Sequence, residues 1–141
     1  MMTGAMREGF GNPSSPHRYG AAARYVMEKA RRSLARGLGG VPPEALVFTS
    51  GGSESNNLAL RGVVQESLRQ GRGNHVIVSA AEHLAVLETV QDLAAQLPLR
   101  LTILDVDGNG RVDPEALKKA LRTETILVSV IAANNETGAL N

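Results

Sequence analysis

Short runs rich in Val, Ile, Leu and Thr alternate along this chain with longer stretches of helical period, and that alternation restricts the fold more than any other feature. Ala45 to Thr49, His75 to Ser79, Arg100 to Leu104 and Thr125 to Ile131 are each bounded by turn residues or charge, and they predict four strands. Helical stretches precede and separate them: His17 to Arg36, about Ser53 to Gln70, about Leu84 to Leu97, and Pro114 to Leu121. Gly37, Gly39, Gly40, Pro42 and Pro43 stop the first helix, and Gly71 and Gly73 stop the second. Asp113-Pro114 opens the fourth with a capping side chain and a proline in the first turn. Strands separated by helices predict an α/β fold, a mostly parallel sheet with flanking helices on both faces. No repeat, low-complexity segment or linker interrupts the pattern, so residues 1–141 are read as a single unit.

A chain of 141 residues with 43% hydrophobic content is able to bury the core of one ordinary domain. Its 15 basic and 14 acidic residues are dispersed and leave a formal net charge of +1, so no charge block favours nucleic acid or an anionic membrane as partner. Tyr19, Tyr25, Phe10 and Phe48 are too scattered to form a stacking platform for bases, and Phe48 is expected in the core. Arg24, Arg31, Arg32 and Arg36 on the first helix read as a solvated face rather than an anion site. No apolar run approaches the roughly 18 residues that cross a bilayer, and the N-terminus lacks a basic segment leading into an apolar one. The simplest reading is a soluble, cytoplasmic protein. The absence of cysteine fits a reducing compartment and excludes both disulfides and a thiol nucleophile supplied by this chain.

The strongest local chemistry lies after the first expected strand. Ser50-Gly51-Gly52 is a loop without bulky side chains, and Ser53 stands where a helix begins. Free backbone N–H groups and the positive end of the helix dipole suit a phosphate there, with the Ser53 hydroxyl as a further donor and the glycines permitting close approach. The alternative is that Ser53 only caps the helix. The spacing is neither that of a P-loop nor that of a nucleophile elbow.

His83 follows the second expected strand, where α/β sheets place ligands; an imidazole there is able to lie against an aromatic ring or move a proton, or simply to cap the next helix. Asn134 and Asn135 follow the fourth strand, and an asparagine there either donates to a phenolate oxygen or closes a turn. Three polar clusters thus fall after strands of one expected sheet. Asp105-Val-Asp-Gly-Asn-Gly-Arg-Val-Asp113 imitates the start of a calcium loop, but the twelfth position is Ala116 and the preceding segment reads as a strand. An ordinary turn accounts for it, and no metal site is expected.

Gly11-Asn-Pro-Ser-Ser-Pro-His17, Phe48-Thr-Ser-Gly-Gly-Ser-Glu-Ser-Asn-Asn57, Glu82-His83, Asp107 to Leu117 and Ala133-Asn-Asn-Glu-Thr-Gly138 together resemble the N-terminal part of cysteine desulfurases. These are class V aminotransferase relatives among the fold-type I pyridoxal-phosphate enzymes, and the resemblance runs from about Arg7 to the C-terminus. It implies part of the cofactor-binding large domain of that fold, with pyridoxal 5′-phosphate as cofactor. By position, Gly51, Gly52 and Ser53 would hold the phosphate, with serine where the family usually has threonine. His83 would stack on the ring and assist proton transfer, although Leu84 replaces a common proline, and Asn135 would lie near the phenolic oxygen. Asn12 and its neighbours resemble a stretch near the active-site entrance.

In the complete family L-cysteine gives L-alanine and enzyme-bound persulfide, whose sulfur serves, among other ends, iron–sulfur cluster assembly. The resemblance also implies what this sequence does not contain: an earlier Asp-x-x-x-Thr-Thr type segment, the pyridinium aspartate, the Schiff-base lysine and the sulfur-accepting cysteine. The lysines present, Lys29, Lys118 and Lys119, fall in helical stretches at positions expected to be exposed. The chain is therefore expected to be inactive alone, a truncated portion completed by a complementary C-terminal chain; the alternatives are a non-catalytic remnant acting as a homo-oligomeric or assembly module, or part of another class V aminotransferase or lyase.

Overall fold

The computed structural model describes Gly4 and residues 11–141, so Arg7 and Phe10 lie outside the described residues. Contacts gather into two units, 1–48 and 49–141. In the first unit, helix α1 spans Arg18–Gly37, and His17 caps it by accepting a hydrogen bond from the Gly20 amide at Nδ1. Pro43–Ala45 then form a single 3-10 turn.

The expected strand Ala45 to Thr49 does not form. Leu46 is extended, but residues 46–49 enter no ladder among the described residues. β-Favouring side chains specify an extended backbone; a strand also needs a neighbour to take its N–H and C=O groups. Phe48, expected in the core, is 46% exposed and lies instead beneath the Arg31 guanidinium, 4.8 Å from the ring centroid. Arg31 also pairs with Glu28 at 3.2 Å and donates to the Leu46 carbonyl, so it is half-buried and structural rather than part of a solvated face.

The second unit carries α2 (Gly52–Arg69), β1 (His75–Ser79), α3 (Leu84–Gln96), β2 (Arg100–Leu104), α4 (Pro114–Ala120) and β3 (Thr125–Ser129). The strands form a parallel sheet in the order β2-β1-β3, three strands rather than the four expected. β1 is central and every residue of it is buried. Val76 and Val78 pack with Leu60 and Val64 of α2 and with Val86, Val90 and Leu93 of α3. Each such aliphatic side chain contributes about 1.5–3 kcal/mol on burial. The chain steps from β1 outward to β2 and then back across β1 to β3. Right-handed crossovers in opposite directions place α3 and α4 on opposite faces, which agrees with the expected α/β arrangement.

Local signals explain the boundaries. Asp113 Oδ1 accepts from the Glu115 amide at 2.9 Å and Pro114 opens α4. After α2, the amides of Gly71 and Arg72 turn back to the carbonyls of Leu68 and Ser67, with Gly71 at φ +64°, a conformation that favours glycine. Segment 105–113 is a turn: Asp107 Oδ1 accepts from the amides of Asn109 and Arg111, both at 2.9 Å, and Val106 bridges Val112. Those two amides hold the Asp107 carboxyl below its ordinary range. Among the described residues there is no group of three His, Cys, Asp or Glu able to hold a metal ion.

Candidate active site

The loop that opens α2 is held from within. Glu54 Oε2 accepts from the Ser50 amide at 2.7 Å and from the Ser50 hydroxyl at 2.6 Å, which together lower the Glu54 pKa, the hydroxyl contributing most. Thr49 Oγ1 lies 2.6 Å from Ser55 Oγ. The N-cap is Gly51, not Ser53, and it supplies no side-chain cap. Ser53 therefore sits inside the first turn, and its hydroxyl is not consumed in capping. The first backbone bond of the helix runs from the Ser55 amide to the Gly51 carbonyl at 3.1 Å. The N–H groups of Gly52, Ser53 and Glu54 precede it and have no intrahelical acceptor. A Cβ built on Gly51 or Gly52 would enter open space, and Gly51 is extended at φ 169°. Neither backbone strain nor packing within the chain requires glycine here; a group approaching from outside would.

His83 ends the loop after β1 and caps α3 by accepting from the Ala85 amide at Nδ1, 3.0 Å away. That bond places the proton of the neutral ring on Nε2. On the loop after β3, Asn134 Oδ1 accepts from the amides of Glu136 and Thr137 at 2.9 and 3.0 Å, while its Nδ2 donates to the Ala81 carbonyl at 3.1 Å. Asn134 is thus a turn closer, as one of the two sequence readings had it, and Asn135 beside it is exposed.

Two cavities meet at His83. One, of about 490 Å³, lies between α2 and α3 and is lined by Ser53, Asn57, Arg61, His83, Leu84 and Asp92 among others. The second, of about 410 Å³, is lined by Glu82, His83, Leu84, Asn134, Asn135 and Glu136 among others. The fold therefore brings Ser53 and Asn135 to either side of His83, although the first of the three polar clusters follows an extended segment rather than a strand. Lys29, Lys118 and Lys119 are exposed and line neither cavity.

Sequence reasoning missed Arg61. Its guanidinium joins Asp92 at 2.7 Å and Asn57 Oδ1 at 3.1 Å, tying α2 to α3 along the first cavity and lowering the Asp92 pKa. The spacing of Asn57 and Arg61, one helical turn apart, was the available signal.

A parallel sheet with polar groups gathered beyond its strand ends, beside a helix N-terminus with free amides, is an arrangement suited to a phosphate-bearing ligand. The chain belongs to the aminotransferase class-V family, which matches residues 2–141. It is 47% identical over 135 residues to a cysteine desulfurase IscS of Dictyoglomus turgidum, covering 96% of this chain and 33% of that protein. A putative cysteine desulfurase IscS 1 of Bacillus subtilis is 44% identical, with 93% of this chain and 34% of that protein covered. Among solved structures, a NifS-like protein superposes with a TM-score of 0.88 at 40% identity, over 99% of this chain and 37% of that one. The chain spans about a third of the length of the curated relatives it matches.

Proposed function

We propose that this chain is the N-terminal, cofactor-binding portion of a cysteine desulfurase. The observation that carries the reading is the convergence at His83: Ser53, in the first turn of α2, borders one cavity that His83 lines, and Asn135 borders the other. The donor set fits pyridoxal 5′-phosphate. The amides of Gly52 and Ser53, the Ser53 hydroxyl and the open space above Gly51 and Gly52 suit the phosphate. His83 would lie against the ring, and the Asn135 amide would donate to the phenolic oxygen.

Bound there, the cofactor supplies an electron sink for chemistry at the α-carbon of an amino acid. This chain's own residues bind the phosphate, orient the ring and, through His83 Nε2, present a proton at the ring's edge. The His83 cap at Ala85 keeps Nδ1 out of that exchange.

The substrate in the complete enzyme is L-cysteine, converted to L-alanine with sulfur left as an enzyme-bound persulfide. The tethering lysine, the pyridinium partner and the acceptor cysteine are assigned to the remaining two thirds of the complete enzyme's length, and the enzyme to the cytoplasm. A second reading is an association module without turnover, favoured by one observation: among the described residues, β2 and β3 are both sheet edges, and open edges invite pairing.

Native mass spectrometry on the chain isolated from its source cells, with an absorbance spectrum of the same sample, tests the two. A species that joins this sequence to the rest of the enzyme, on the same or a second polypeptide, is expected to carry the cofactor's mass and its visible band and to release sulfide from L-cysteine. A chain that self-associates, colourless and without cofactor, would favour the association module and overturn the desulfurase reading.

A further inference from the structure

We infer that Asn134 is a positioning residue that holds the loop bearing Asn135 against the loop bearing His83, an inference that rests on the cofactor reading above. An asparagine side chain offers acceptor and donor groups on one short stem. Asn134 uses both kinds at once. Its Oδ1 accepts the amides of Glu136 and Thr137, closing the turn on its own loop. Its Nδ2 donates to Ala81, across 53 residues of chain, in the segment that leads through Glu82 to His83.

The backbone of Asn134 is fixed as well, its N–H donating to the Ala139 carbonyl and its C=O accepting from the Gly138 amide, both at 2.9 Å. Asn134 is half-buried while Asn135 is exposed, and both line the cavity that His83 also lines. The two adjacent asparagines therefore divide the work: Asn134 sets the separation of the loops, and Asn135 is left to face the ligand. Aspartate at 134 would keep the turn but lose the donor to Ala81, whereas alanine would lose both.

The test compares the full chain with its Asn134→Asp and Asn134→Ala variants by amide NMR, first without ligand and then titrated with pyridoxamine 5′-phosphate or inorganic phosphate. Pyridoxamine phosphate carries the ring, phosphate and phenolic oxygen but no aldehyde to react with Lys29, Lys118 or Lys119. In Asn134→Asp the amides of Ala81, Glu82 and His83 should shift and exchange faster while those of β1 stay unchanged. Affinity for pyridoxamine phosphate should fall about tenfold, the effect of losing one ordered hydrogen bond, with inorganic phosphate binding unaltered. Asn134→Ala should show the same loss together with disorder of residues 134–138.

Unchanged Ala81 to His83 amides in Asn134→Asp would overturn the inference whether or not ligand binds, as would an equal loss of affinity for both ligands. Failure of the unsubstituted chain to bind pyridoxamine phosphate would instead overturn the cofactor reading, leaving the loop tie to be judged by the ligand-free amides.

Discussion

His75 offers a sharp test of how the sheet is held. It starts the central strand, is fully buried, and has both ring nitrogens engaged: Nδ1 lies 2.8 Å from Thr125 Oγ1 on β3, and Nε2 lies 2.9 Å from Thr102 Oγ1 on β2. One side chain thereby fastens all three strands. Replacing it with valine keeps an apolar, β-favouring residue but removes both bonds, each contributing about 0.5–1.5 kcal/mol. The Thr125 hydroxyl retains the Arg122 amide at 2.8 Å, so only the Thr102 hydroxyl loses its partner. With the lost imidazole volume added, His75→Val should cost about 2–4 kcal/mol, a large share of the roughly 5–15 kcal/mol typical of a domain.

The variant should also change the pH dependence. Burial lowers the His75 pKa, Arg122 and Arg100 act in the same direction, and Glu124 opposes them. The folded value thus lies below the ordinary value of 6.5, and just below that pH the unfolded chain binds more protons. The stabilisation is complete above 6.5 and is lost as pH falls from there through the folded value. Urea unfolding at about pH 7.5 and about pH 5.5 should show the unsubstituted chain losing more stability on acidification than His75→Val. Equal slopes with pH, or a cost below about 0.5 kcal/mol at the higher pH, would refute the reasoning.

Other perturbations follow from the same core and turns. Leu93→Ala, at a site 2% exposed beneath the sheet, should lower stability by about 2–5 kcal/mol in urea unfolding, with the denaturant slope unchanged. Gly73→Ala should destabilise by about 1–3 kcal/mol in thermal unfolding. Gly73 has φ +149°, and a Cβ there would come within 2.4 Å of the Glu124 carbonyl, the same oxygen that accepts from the His75 amide. Arg61→Ala should lower stability only slightly, less than Leu93→Ala, because its partner Asp92 is substantially solvated at 42% side-chain exposure; a double-mutant cycle with Asp92→Ala measures it.

Much of this architecture is legible in the residues. β1 and β2 have the bounds that their hydrophobic runs predict, and the four expected helices, all among the described residues, agree to within about a residue or two because caps and terminating glycines mark their ends. Ala45 to Thr49 misled because side-chain preference reports backbone extension and cannot report whether a partner strand lies alongside. Phe48 misled for a related reason: its hydrophobicity was satisfied by a cation above the ring rather than by the core. At the site, a helix start near Ser53, one residue after the observed start at Gly52, the cap at His83 and the turn at Asn134 were readable as local signals. The Asn134 bond to Ala81 and the Arg61 tie to Asp92 were not, since each joins residues far apart in sequence and depends on how the loops and helices pack.

The central claim is that this chain holds the phosphate and ring contacts of a pyridoxal-phosphate site. Amide NMR of the unsubstituted chain and of Ser53→Ala, titrated with pyridoxamine 5′-phosphate, tests it most directly. The account predicts saturable shifts confined to Gly51 through Glu54, His83 and Asn135, with affinity falling at least tenfold in Ser53→Ala. Shifts that bypass these residues, or identical affinity in the two proteins, would contradict it.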